Sequence, residues 1–271
     1  MTADREQLAA LIEMWRGAVD DFVALARGLD EAALARPTDL PGWNVKALVS
    51  HVAHLESDLA GDPQPQVEVP PAAHVTGPLN IYTESGVIAR ADRTLGELVA
   101  EIESAAGRRY AALCADPPTD GTADPGGLAT LMGWGWQTLL RNRPLDVWMH
   151  EQDIRRAVGT PGGLDSAAAR HTAEVYAASL PYVVGKKVAP PAGTTVALEV
   201  DGRRFAATVG ENGRGAPVDP DTTDPDVTLA MDFPTWIILV GGRRAPEQVT
   251  VEITGDQELG RRVLPELAVT L

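Results

Sequence analysis

The sequence predicts a two-part chain, with an N-terminal four-helix bundle over residues 1–160 and a small α+β domain over residues 161–271. Three observations carry this. The 271 residues exceed the ~100–200 of a usual single domain. Apolar residues recur every three or four positions through the first part, as on the inward face of a helix. In the last part they alternate around a two-residue turn signal, as in half-buried strands.

Leu8, Leu11, Ile12, Trp15, Val19, Phe22 and Val23 predict a first amphipathic helix ending near Gly28. A second is announced by Leu40-Pro41-Gly42-Trp43-Asn44, in which Asn44 caps the N-terminus and Trp43 and Leu48 form a hydrophobic staple; it runs to about Gly61. Asp62 to Pro78 holds four further prolines and reads as a long exposed connection. Ile81 to Cys114 carries a third helical pattern. In the aromatic-rich stretch from Gly133 to Gly159, Pro144 and Gly159 predict the start and stop of a fourth helix.

The second part opens with a helical stretch from Leu164 to about Leu180. Two alternating segments, VALEV and RRFAATV, flank Asp201-Gly202, a favoured hairpin turn. Val227 to Met231 predicts another strand, Phe233 to Val240 a short helix, and Val249 to Thr254 a further alternating segment. These elements together make a small α+β domain.

Composition excludes several classes. A net charge of −15 with no basic stripe argues against nucleic acid as a partner. No apolar run reaches the ~18 residues of a membrane span, and the N-terminus lacks the basic start and short apolar core of a signal peptide, so a cytoplasmic protein with no membrane partner is expected. One cysteine, Cys114, excludes an internal disulfide and a multi-cysteine metal knuckle. A metal site must therefore draw on histidines and carboxylates. Nothing in the pattern sets an oligomeric state.

Five histidines are available: His51, His54, His74, His150 and His171. Residues four apart share a helix face with Cβ atoms ~5–6 Å apart, so Asp146 and His150 can share one ion. Asp153 falls within about 60° of both in projection. A D-x-x-x-H pair alone is weak, because a buried hydrogen-bond network or an exposed stripe has the same spacing. In the second helix His51 projects ~90° from the centre of the apolar face and His54 ~150° away, so His51 borders the core and His54 is expected to face water. His74 lies in the proline-rich connection and His171 on the first helix of the second domain, neither with a partner at ligand spacing.

The run from Leu40 to His51 resembles the proline-glycine-tryptophan helix start and first metal histidine of the mycothiol-dependent maleylpyruvate isomerase family. Asp146-Val147-Trp148-Met149-His150 resembles that family's second metal helix, and Gly255-Asp256 before Leu259-Gly260-Arg261-Arg262-Val263-Leu264 resembles the end of its C-terminal domain. The resemblance implies a DinB-like metal-binding four-helix bundle followed by a sterol-carrier-like α+β domain, with His51, Asp146 and His150 as metal ligands. The family's carboxylate is a glutamate where this chain has the shorter Asp146.

The resemblance further implies a divalent metal, with zinc compatible with the ligand set, and mycothiol or another low-molecular-weight thiol as co-reactant. It implies cis–trans isomerisation or thiol transfer on a small electrophilic or unsaturated acid. A functional arginine of the family's C-terminal domain matches the region of Trp236, Gly242 and Arg243, with Arg244 adjacent; a surface arginine pair after a glycine turn would look the same. Cys114 follows an apolar helical pattern and is expected to be a small core residue. The competing reading is a non-catalytic small-ligand carrier whose metal site is structural or vestigial.

Overall fold

In the computed structural model, which describes residues 3–270, the first amphipathic pattern forms α1 (Ala3–Arg27). A short turn of helix, α2 (Glu31–Leu34), is capped by the Asp30 side chain. Helix α3 (Val45–Leu59) begins at Asn44, whose Oδ1 accepts from the Ala47 N–H at 2.9 Å. That bond satisfies one of the donors every helix start leaves open.

Residues 81–114 form two helices rather than one pattern. Helix α4 (Pro78–Ile88) takes Pro78 into its first turn, and α5 (Leu95–Ala115) starts afresh at Thr94. The break has a local cause: Thr94 accepts from the Glu97 N–H while Glu97 reaches back to the Thr94 N–H. This reciprocal capping box favours a new helix start over continuation.

After α6 (Gly127–Leu131), helix α7 runs from Trp136 to Val158. It starts eight residues before Pro144, which lies inside it and is not its first turn. Proline removes one backbone donor in a helix interior, yet here the buried flanks Leu139, Leu140, Leu145 and Val147 hold the helix through it. Gly159, at φ +72°, ends it in the left-handed conformation glycine adopts without strain.

The long helices close a ring of packing: α1 lies against α7 and α5, and α3 against α5 and α7. Trp15, Phe22, Leu48, Leu98, Ile102, Leu140 and Trp148 fill the centre, each fully buried. Helix α4 packs on α3 outside this ring. The N-terminal part is thus a helical bundle. Among the described residues no helix is long and apolar enough to cross a membrane.

The chain divides into one unit ending at Arg170 and a second starting at His171, a boundary inside α8 (Ala167–Ala177). A short turn, α9 (Leu180–Tyr182), leads into a π-helical turn at Val183–Val188. Strands β1 (Thr195–Val200) and β2 (Arg203–Val209) form the expected hairpin, with Asp201 and Gly202 both at positive φ. Strand β3 (Gly215–Val218), which the alternation did not reveal, extends this hairpin.

Strand β4 (Val227–Met231) runs parallel to β1, helix α10 covers Phe233–Val240, and β5 (Glu252–Gly255) closes the sheet in the order β3-β2-β1-β4-β5. Helix α11 (Gln257–Val263) follows. The C-terminal part is a mixed α+β unit.

Candidate metal centre

Helices α3 and α7 bring His51, Asp146 and His150 together, with one ligand atom from each lying within 4.8 Å of the others. His150 Nε2 is 3.6 Å from Asp146 Oδ1, and His51 Nε2 is 3.8 Å from Asp146 Oδ2. Two ligand atoms on one tetrahedral ion with bonds of ~2.0–2.2 Å stand roughly 3.4 Å apart, so these separations need little closing. The imidazole rings meet edge-on, centroids 4.8 Å apart. Both histidines are buried, whereas the Asp146 side chain is 32% exposed. The set therefore opens toward solvent at its carboxylate.

Trp43, just before the α3 cap, walls one side, its ring 5.0 Å from His51 and 6.3 Å from His150. Its indole N–H donates to Glu84 of α4 at 2.7 Å, and the same carboxylate oxygen lies 3.1 Å from His74 Nε2. His74 thus ties the proline-rich connection to this corner. Gly42, at φ +83°, packs under the His74 ring so closely that a Cβ there would stand 2.4 Å from it.

The carboxylate and imidazoles are electrostatically set. Burial would raise the Asp146 carboxyl, but Arg143 and the two histidines hold it well below the usual carboxylate range. Burial lowers His51 to about 4, against the pull of Asp146. At neutral pH the centre thus offers a carboxylate and an unprotonated His51 imidazole, the states that ligate metal. His51 Nδ1 is buried with no hydrogen-bond partner among the described residues. Two imidazoles and one carboxylate, with an exposed side, suit a divalent ion with a free position.

His54 corrects the expectation of a water-facing side chain. It is 1% exposed, its Nδ1 lies 3.0 Å from Gln64 Oε1, and its ring is 4.7 Å from that of Tyr82. Helix α4 covers the face of α3 that the projection assigned to solvent. It approaches closely because Gly86 has no side chain. Cys114 is likewise corrected: it is exposed on α5 and not a core residue.

Arg243 belongs to the second unit, in the turn after α10. It is 9% exposed, and its guanidinium donates to the Gly241 carbonyl at 2.6 Å. Arg244 is exposed, and Trp236 is buried on α10 with its indole N–H without a hydrogen-bond partner among the described residues.

Sequence reasoning missed a buried charged row behind the centre. Arg143 donates to Asp146 at 2.8 Å and to Glu56 at 2.6 Å, and Glu56 also accepts from Trp15. The signal was present: Glu56 continues the Val45, Val49, Val52 spacing, and Arg109 continues Ile102 and Ala106. A cavity of about 400 Å³ near Arg90 and Arg108 includes none of the three ligands, and its arginines are paired with Glu101 and Asp62.

Residues 15–155, more than half of the chain, match the family model described as the mycothiol maleylpyruvate isomerase N-terminal domain. The chain belongs to this family. The crystal structure of the mycothiol-dependent maleylpyruvate isomerase matches with a TM-score of 0.55 at 15% identity, covering 94% of this chain and 96% of that one. The crystal structure of a histidine-to-alanine mutant of that enzyme matches at 0.54 and 14% identity over the same shares. At such identities the shared property is the fold. No curated protein matches the chain at a significant level.

Proposed function

We propose that this protein is a metal-dependent enzyme that uses a small external thiol, mycothiol or a relative, on a small electrophilic or unsaturated acid. The observation that carries the reading is the cluster of two buried imidazoles and a part-exposed carboxylate, in a chain of this family. His51, Asp146 and His150 are the proposed ligands and zinc the proposed ion. In the same reading the bundle is DinB-like and the α+β unit sterol-carrier-like.

When bound, a divalent ion supplies positive charge that deprotonates a thiol at neutral pH. The chain's residues do the rest. Asp146 and the imidazoles hold the reacting region where the carboxylate meets solvent, and Trp43 walls one side of the two histidines. Isomerisation then needs a thiolate to form a C–S bond to one alkene carbon, its electron pair displacing the π pair onto the conjugated carbonyl. Rotation about the new single bond and expulsion of the thiolate restore the alkene in the trans form. A transferase would keep the C–S bond. The family resemblance makes Arg243 of the α+β unit the proposed catalytic residue, a guanidinium fork being suited to a carboxylate.

The test is turnover of a cis unsaturated diacid by the zinc-loaded protein with and without added thiol, in the parent and in Cys114→Ala. Activity that requires the thiol and survives the substitution supports the reading. Thiol-independent activity abolished by Cys114→Ala would overturn it. Tight zinc binding with no turnover would favour the non-catalytic carrier with a structural metal site.

A further inference from the structure

Four charged side chains run from the bundle interior to the metal centre. Arg109, 7% exposed, lies over the Trp15 ring at 4.6 Å and stands 3.8 Å from Glu56 Oε2. Glu56, with no exposed surface, receives Arg143 Nη2 at 2.6 Å, and Arg143 Nη1 reaches Asp146 Oδ2 at 2.8 Å. Buried ion pairs contribute little stability, and apolar replacement of such a set is often neutral or better. This row is also incompletely satisfied, since Arg143 Nε, Glu56 Oε2 and both terminal nitrogens of Arg109 lack hydrogen-bond partners among the described residues. Stability therefore gives no account of it.

What the row does geometrically is fix one oxygen of Asp146. With Oδ2 held by Arg143 at 2.8 Å, rotation of the carboxylate is restrained, leaving Oδ1 3.6 Å from His150 Nε2 and Oδ2 3.8 Å from His51 Nε2. The guanidinium is suited to this because two nitrogens of one rigid fork serve Glu56 and Asp146 at once, which a lysine ammonium cannot reproduce.

We propose that Arg143, anchored by Glu56, is the positioning residue of the metal centre, clamping Asp146 so that its carboxylate is presented to His51 and His150. The inference rests on the proposed metal role of His51, Asp146 and His150, but not on the thiol chemistry. Residues that orient metal ligands from behind typically change affinity about 10–100-fold when replaced.

The test titrates metal-stripped full-length protein with zinc against a chelating indicator, and records the cobalt absorption spectrum as a report on coordination. Arg143→Lys should lower zinc affinity about 10–100-fold and alter the cobalt spectrum, while circular dichroism stays that of the parent. In an Asp146→Ala background the same substitution should cost nothing further, because Arg143 acts through that carboxylate. Glu56→Gln keeps an acceptor for Arg143 and should give a smaller loss in the same direction. It serves as the test if Arg143→Lys fails to fold. Unchanged affinity and spectrum in a folded variant would overturn the proposal, as would equal losses with and without Asp146. A parent that binds zinc but shows no thiol-dependent turnover would defeat the proposed function and leave this inference standing.

Discussion

His150 Nδ1 lies 3.1 Å from Asp153 Oδ2, and this hydrogen bond directs the opposite ring nitrogen toward Asp146. Asp153 is itself held by Arg156, and Arg156 by Asp39 at 3.0 Å. A carboxylate behind an imidazole keeps the proton on Nδ1 and the lone pair on Nε2, the tautomer a metal needs.

Asp153→Asn should therefore lower zinc affinity by about 10–100-fold while the bundle stays folded. Isothermal titration of the metal-stripped protein checks this. Unaltered affinity would show that packing alone orients His150.

His51→Ala should abolish most metal binding, because it removes one of three ligand candidates. His54→Ala should leave binding nearly intact and instead cost about 1–3 kcal/mol of stability, since that ring is buried between α3 and α4. Zinc titration and urea unfolding of the two variants separate the effects. Equal loss of zinc from both would remove the distinction between them.

The contrast between these histidines shows what the sequence could and could not reveal. Projection about the apolar face of α3 placed His51 at the edge of the core, where it lies, because the ring of long helices is the partner that face implies. His54 was misplaced because its cover is α4, whose sequence pattern runs on into that of α5 and hides a separate helix. The clue was Thr94 with Glu97, a capping box inside an apolar pattern. Pro144 misled in the opposite direction: local chemistry says helix start, and tertiary packing on both flanks carries α7 through it. Strand β3 was hidden because Gly215-Ala216-Pro217-Val218 is short and has little alternation.

Gly86→Ala should destabilise the protein by about 1–3 kcal/mol. A Cβ at this position would stand 2.1 Å from His54 Cγ, so α4 would have to move off α3. Denaturant unfolding measures the loss. Adding His54→Ala removes the obstructing ring and should recover part of it; full additivity of the two losses would place the strain elsewhere.

Acid should destabilise the metal-free protein through His51 within a definite window. Burial first, then the neighbouring His150 and Arg143, hold its folded value at about 4 although Asp146 pulls upward, whereas a free histidine titrates at 6.5. Between these values the unfolded chain binds a proton that the folded one refuses, so the His51 contribution to stability is greatest above pH 6.5, declines as the pH falls toward 4 and levels off below. The loss is on the order of 3 kcal/mol. His54 shifts in the same direction and adds to it. Asp146 does not confuse the window: its folded value is depressed, so its contribution is present above the ordinary aspartate value of 3.8 and is lost only as the pH falls below it. Urea unfolding of the metal-free parent and of His51→Ala across this range should show a shallower slope in the variant. Identical slopes would mean that other groups carry the acid sensitivity. Zinc competes with the same proton for the folded-state imidazole, so adding it should extend the decline to lower pH in the parent and leave His51→Ala nearly unchanged.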